Sequence, residues 1–258
     1  MSYGICQLSI MPVRLEPSHR SEQVTQLLFG EHYEVLGAVT DWLRIRIAYD
    51  GYEGFIPQGQ NTPLEYSDYN FLQKAASFLS YDLVQLMVHD NKIQTVVLGS
   101  VLPFFENEHC RITDKKYKFD GNAKFPDKVK SVNTLLENTF MYLNAPYLWG
   151  GRSPFGIDCS GFTQMVFKLS GYKLQRDASQ QAEQGMVINL IEEAAAGDLA
   201  FFDNEEGKIT HVGILTAKDK IIHASGKVRI DSFDQVGIFN LETKRYSHKL
   251  RIIKRIIQ

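Results

Sequence analysis

From Gly197 to the end, the chain reads as one strand pattern after another: "DLAFFD", "THVGILTA", "KIIHAS", "KVRIDSF" and "HKLRIIKRII". Two helical patterns stand before this run. The first places Val129, Val132, Leu136 and Phe140 at three- and four-residue spacing, and Pro146 stops it. The second follows the loop "NAPYLWGGRSPFGI", sets Phe162, Val166 and Leu169 on one apolar stripe and ends at Gly171. Helices first and a block of strands afterwards specify an α+β domain with an antiparallel sheet and exclude a parallel βαβ arrangement.

Strand patterns also fill residues 5 to 57, in "ICQLSIMPVRL", "HYEVLGAV" and "WLRIRIAYDGYEGFI". In the last, Trp42, Arg44 and Arg46 alternate with Leu43, Ile45 and Ile47, and Asp50-Gly51 is a hairpin signal, so a small antiparallel barrel is expected. Between residues 62 and 123 the pattern predicts a helix from Tyr69 to Phe78, then strands in "LVQLMV", "KIQTVVLGSVLPFF" and "CRITDKKYKF", consistent with a second, shorter β-module. The Gly- and Pro-bearing stretch "FDGNAKFPDK" puts a boundary near Gly121 to Pro126. A chain of 258 residues exceeds what one ordinary core needs. The expected layout is a β-barrel module at 1–60, an atypical β-module at 61–124 and an α+β domain at 125–258.

Charge narrows the partners. With 28 basic and 30 acidic residues the net charge is −2, which gives no polyanion-binding surface, and nucleic acid is not an expected partner. The basic run "KLRIIKR" alternates with apolar residues as a solvated strand face would. "MSYGICQLSIMPVRLEPSHR" lacks the basic start and apolar stretch of a signal peptide, and no run approaches a membrane span. The expectation is a cytoplasmic protein with no membrane partner. Cys6, Cys110 and Cys159 are odd in number and far apart, against a disulfide framework and for a reducing compartment. No cofactor is implied. No metal is expected either, because no His/Cys/Asp cluster has ligand spacing along the sequence.

The chemistry gathers at "GIDCSGF". Asp158 is a good N-cap for the second helix, which puts Cys159 in its first turn, where unpaired N–H groups favour a thiolate and lower the thiol pKa. Ser160 and Gly161 are small enough to leave the sulfur accessible, and Asp158 is expected to point away from it. A thiol nucleophile needs a base, and the base an orienting partner. His211 and His223 lie 12 residues apart on strand patterns; direct pairing across a hairpin would put both on one face, with a loop from Thr216 to Lys218 centred on Ala217. Residue by residue, plainer roles stand beside these. A free cysteine is usually a core residue, Trp149 could be a core aromatic, Asp158 a helix cap and Ser179 a turn or cap residue.

In order and spacing, "YLWGGRSPFGIDCSGF", "RDASQQ", "GDLAFF", "HVGI" and "IHAS" resemble the NlpC-type cell-wall cysteine peptidases, over about Lys128 to Gln258. Ahead of them, "RLEPSHRSEQVTQLLFGEHYEVLG", Trp42 and "GYEGFIP" resemble a bacterial Src-homology-3-type module. Together they resemble the branch of γ-D-glutamyl-L-diamino-acid endopeptidases. The resemblance implies a papain-like cysteine peptidase domain behind small all-β barrel modules. It implies Cys159 as nucleophile, His211 as general base and acid, His223 as the residue orienting His211, and Tyr147 as an oxyanion-side hydroxyl. Trp149, Asp158, Ser160, Asp177, Ala178 and Ser179 fall at positions that line the family's cleft, and Glu16 and Tyr52 match positions that hold, with Asp177, the free amine of an N-terminal L-Ala. Glu16 as a solvated charge and Tyr52 as a core aromatic are the plainer alternatives. The implied substrates are small murein peptides, cut between D-Glu and diaminopimelate or Lys in cell-wall peptide recycling, by a protein expected to be a monomer. A peptidoglycan-binding module with a weak or inert thiol, and a thiol acyltransferase, remain open alternatives.

Overall fold

The alternation in "WLRIRI" sends Leu43, Ile45 and Ile47 inward and Arg44 and Arg46 outward, while Trp42 is buried with its ring edge-on to His19. In the computed structural model, which describes residues 2–127 and 131–257, this strand is central in a seven-stranded antiparallel sheet. The order is Gln23–Leu28, Ile10–Arg14, Glu53–Pro57, Trp42–Ile47, His32–Val39, Ser2–Ile5 and Thr62–Leu64. Gln23–Leu28 was not legible as a strand because its last four residues are all buried, which removes the alternation.

The predicted helix starts earlier than expected: α1 spans Tyr66–Lys74, and Phe78 opens a short strand. Two small sheets follow, one ordered Lys92–Val97, Val84–His89, Lys115–Lys118, His109–Ile112 and the other Val101–Leu102, Phe78–Ser80, Ala123–Lys124. Ile5, Phe29 and Leu64 from the front of the chain share one core with Met87, Val96, Cys110, Tyr117 and Phe119. The stretches expected as separate modules therefore have apolar surface in common. Met1–Asp127, with Arg152–Pro154, form one compact unit. Within it the buried Arg152 donates to both carboxylate oxygens of Glu31, at 2.7 and 2.9 Å.

Lys128–Gly151 and Phe155–Gln258 form the second unit. Its helices are α2, Val132–Phe140, α3, Cys159–Leu169, and α4, Ala178–Gln181. Val129, expected on the first helical stripe, lies outside the described residues. Every residue of α3 is buried, Gln164 and Lys168 included, so the helix has no solvent face. It contacts α2, α4 and the strands Ile209–Ala217 and Lys220–Ser225.

The strands run in the order Met186–Ile188, Arg245–Arg255, Leu199–Asp203, Ile209–Ala217, Lys220–Ser225, Lys227–Phe233, Gly237–Asn240. Gly237–Asn240 pairs back onto Arg245–Arg255, so the sheet closes on itself, with Met186–Ile188 outside the ring. The hairpin register corrects the sequence expectation. His223 pairs with Gly213, not His211, and the turn is Lys218-Asp219 between Ala217 and Lys220, because a bulge between Leu215 and Ala217 absorbs an extra residue. The offset is two residues, and an even offset preserves the face.

Candidate active site

Asp158 begins the site by ending the loop before α3. Its Oδ1 accepts from the Gly161 N–H at 2.6 Å, capping α3, and its Oδ2 accepts from the Gly150 N–H at 2.8 Å. Arg176 closes the arrangement: Nη2 donates to Asp158 Oδ2 at 2.6 Å, and Nη1 to Asp158 Oδ1 at 3.1 Å and Ser160 Oγ at 2.9 Å. Both partners are buried, so the pair is costly to break. Gln181 of α4 donates to the Ser160 carbonyl at 2.9 Å and accepts from Thr163 Oγ1 at 2.7 Å. The motif "RDASQQ" thus holds the start of α3 in place.

Cys159 sits at that start, 6% exposed, with Sγ 4.0 Å from the Thr210 carbonyl. The thiol lies against the strand segment that carries His211. Its pKa departs from the expected lowering. Burial pushes it up to about 12, the nearby Asp158 carboxylate adds to the rise, and the Val212 and Ser160 backbone and Arg176 only partly oppose it. Cys159 therefore rests as a neutral thiol. Cys6 and Cys110 are also free and raised, each buried in a core.

The two-residue offset puts His211 Nε2 2.8 Å from His223 Nδ1, and His223 Nε2 lies 3.1 Å from Asp231 Oδ2. Burial would raise the Asp231 carboxyl, but hydrogen bonds from His223, Arg229 and the Leu241 N–H outweigh it and hold the group well below the usual range. An ionised Asp231 only accepts, which fixes the protons along the chain. His223 carries its proton on Nε2, its Nδ1 accepts from His211 Nε2–H, and His211 Nδ1 is left unprotonated. Burial lowers His211 well below its ordinary value, reinforced by His223 and His248. It lowers His223 too, opposed by Asp231. The imidazoles are neutral near pH 7, and His211 is a base ready to accept.

Sequence reasoning missed three of these parts. Asp231 and Arg229 lie on Lys227–Phe233, legible as a strand but with nothing to mark an inward carboxylate. His248 stacks on His211, ring centroids 4.0 Å apart, because the last strand pairs beside Leu199–Asp203. One nitrogen from each of His211, His223 and His248 falls within 4.8 Å of the others, a grouping that their spacing along the sequence does not reveal. His211 Nε2 and His223 Nδ1 are engaged with each other, and His248 Nδ1 lies 2.8 Å from Ser247 Oγ, so the group acts first as a hydrogen-bonded imidazole set.

On the other side of the thiol, the loop from Pro146 is tied down by the Tyr147 N–H to Gly226 carbonyl bond at 3.0 Å and by a bridge from Tyr147 to Ile157. Gly150 turns the loop at φ +73°, a conformation that suits glycine. Burial pushes the Tyr147 phenol up to about 12, and the neighbouring Cys159 and Asp158 add to the rise, so it remains a donor. Trp149 is 59% exposed and is not a core residue. Asp177 precedes α4 and its N–H donates to Gln180 Oε1 at 3.1 Å; Ala178 is buried and Ser179 exposed. Glu16 and Tyr52 belong to the first unit, Glu16 exposed and Tyr52 half-buried against the core of its barrel.

The NlpC/P60 family model matches residues 144–247, a span holding Tyr147, Cys159, His211 and His223, and a bacterial dipeptidyl-peptidase Sh3 domain model matches 13–60. The gamma-D-glutamyl-L-lysine dipeptidyl-peptidase of Bacillus subtilis (strain 168) is 30% identical over 253 residues, which are 90% of this chain and 80% of that one. The chain belongs to the NlpC/P60 family. As a member it is a hydrolase, a peptidase, with the papain-like fold behind an Sh3-like all-β region. The dipeptidyl-peptidase of the same name from Bacillus cereus (strain ATCC 10987 / NRS 248) is 27% identical over 251 residues, 86% of this chain and 72% of that one. The crystal structure of an NlpC/P60 family protein from Bacillus cereus ATCC 10987 covers the whole of both chains at TM-score 0.84 and 20% identity.

Proposed function

We propose that this NlpC/P60 peptidase hydrolyses the γ-D-glutamyl-L-diamino-acid bond of small murein peptides bearing a free N-terminal L-Ala, through a thioester on Cys159. The observation that carries this reading is the ordered chain from Asp231 through His223 to His211, on the strand that flanks a thiol at a helix start, in a chain 30% identical to a γ-D-glutamyl-L-lysine dipeptidyl-peptidase.

Because the thiol rests neutral, its proton leaves as it attacks. Cys159 Sγ adds to the γ-carbonyl carbon while His211 Nδ1 takes the proton. The oxyanion meets the Cys159 backbone N–H at the start of α3 and the Tyr147 hydroxyl. Each such donor is worth about 3 to 4 kcal/mol to the transition state. The imidazolium returns its proton to the departing amine, and a water activated by His211 then cleaves the thioester. Asp231 stabilises the His211 imidazolium through His223, as the carboxylate of a catalytic triad does. Asp177, the N-cap of α4, is the carboxylate of the second unit suited to the L-Ala ammonium.

Such a peptidase fits the recycling of released wall fragments in the cytoplasm, and hydrolyses intact wall poorly. The test is mass spectrometry of products from synthetic murein peptides. Release of L-Ala-D-Glu and a free diamino acid supports the proposal; cleavage at another bond, or none, refutes it.

A further inference from the structure

Beside the catalytic imidazoles the second unit carries a cleft of about 650 Å³ that the mechanism does not use. Asp203, Glu205, Thr210, His248, Lys249 and Arg251 help to line it. It adjoins the reacting atoms, since His248 stacks on His211 and the Thr210 carbonyl is 4.0 Å from Cys159 Sγ.

The backbone around this cleft is irregular at three places. Thr210 is the extra residue where Phe202 pairs with His211 but Asp203 with Ile209. Arg251 is the extra residue where Phe201 pairs with Ile252 but Phe202 with Leu250, and Ser247 the one where Ile238 pairs with His248 but Phe239 with Tyr246. Bulges next to active sites re-aim side chains, and all three here fall on residues that line the cleft.

At its wall stands an unmet need. The Asp203 side chain is 7% exposed and its Oδ1 is buried without a hydrogen-bond partner. Arg251 Nε is 3.8 Å from Oδ2, too far for a hydrogen bond, and its side chain is 63% exposed. A buried carboxylate oxygen left unsatisfied is costly unless something binds to it. A compact cation with several donors meets that need, and a primary ammonium is one. Lys249 and Arg251 on the same wall suit a carboxylate.

We infer that this cleft receives the side chain of the departing diamino acid, Asp203 taking its terminal ammonium and Arg251 with Lys249 its terminal carboxylate. This rests on the proposed γ-glutamyl peptidase reading. The general acid protonates the leaving amine, so the leaving group lies on the histidine side of the thiol, where the cleft opens. A diamino acid ending in both charges, diaminopimelate, satisfies the mixed lining, whereas lysine, ending in an ammonium alone, satisfies half of it.

The experiment compares kcat/KM for three peptides, L-Ala-γ-D-Glu followed by meso-diaminopimelate, L-Lys or L-norleucine, in the parent chain, Asp203→Asn and Arg251→Gln. The parent prefers diaminopimelate to lysine and lysine to norleucine. In Asp203→Asn the lysine-to-norleucine ratio falls by about tenfold or more, as expected when one partner of a desolvated charge pair is removed. In Arg251→Gln the diaminopimelate-to-lysine ratio falls. Equal cleavage of all three peptides by the parent, ratios unchanged in Asp203→Asn, or an equal loss on all three in that variant overturns the assignment alone. Cleavage of none of them by the parent overturns the γ-glutamyl reading and the assignment with it.

Discussion

At the scale of single residues, the placement of protons matters most. Asp231 accepts three kinds of donor and fixes the tautomers of two imidazoles in series. An amide in its place can offer His223 a donor instead of an acceptor, and it lacks the charge that stabilises the imidazolium. Asp231→Asn is expected to lower kcat about 10²- to 10⁴-fold with KM little changed, as when the tautomer of a triad histidine is lost. Steady-state kinetics on a γ-D-glutamyl tripeptide check this, and a kcat within about threefold of the parent would remove Asp231 from the mechanism. Cys159 and His211 could be singled out as candidates because a helix-start cysteine and an in-phase histidine pair are local patterns, and the motif resemblance around them supplied the roles. Asp231 and His248 were not, since their roles depend on which strands become neighbours. The thiol's raised pKa was equally hidden: the helix start is visible in sequence, but the burial that overrides it is not.

At the scale of elements, α3 depends on a cap that is also half of a buried ion pair. Asp158→Ala removes the cap, worth about 0.5 to 2 kcal/mol, and leaves Arg176 buried without its carboxylate, worth about 3 to 5 kcal/mol. The expected loss is at least about 3 kcal/mol in denaturant unfolding, with Asp158→Asn, which keeps an acceptor for the Gly161 N–H, losing less. A loss below about 1 kcal/mol in Asp158→Ala would show that the pair does not hold the helix start. The strands from Leu199 to Phe233 were legible to within a residue because their apolar runs are long and bounded by turn signals; Arg245–Arg255 begins three residues before the pattern shows it, and the short strands Met186–Ile188 and Gly237–Asn240 were not legible. The hairpin register was off by two because a bulge leaves no sequence mark. Parity alone was enough to put the histidines on one face.

At the scale of the whole molecule, two buried imidazoles and a half-buried one tie stability to pH. Burial lowers His211, His223 and His248, the last to about 4, below the value each has when unfolded. Below pH about 6.5 the unfolded chain therefore binds protons that the folded chain refuses, so stability is full above that pH and falls as pH drops. For His248 the fall runs from about 6.5 to about 4. Asp231, held low in the fold, acts in the same direction further down, its contribution lost as pH falls below the usual carboxylate range. Each group contributes up to about 1.4 kcal/mol per pH unit inside its window. Thermal unfolding should give a Tm that declines steadily from pH 7 to pH 4, with a shallower slope in His248→Phe, which keeps a ring against His211. A flat Tm over that range would mean the three imidazoles are not packed together in the fold.

Whether Cys159 is the nucleophile of a γ-D-glutamyl peptidase is decided by kcat/KM on L-Ala-γ-D-Glu-L-Lys and its diaminopimelate counterpart in the parent chain and in Cys159→Ala. The parent is expected to release L-Ala-D-Glu, and the variant to show no detectable turnover. Turnover in Cys159→Ala within about tenfold of the parent, a barrier change of only about 1.4 kcal/mol, would contradict it.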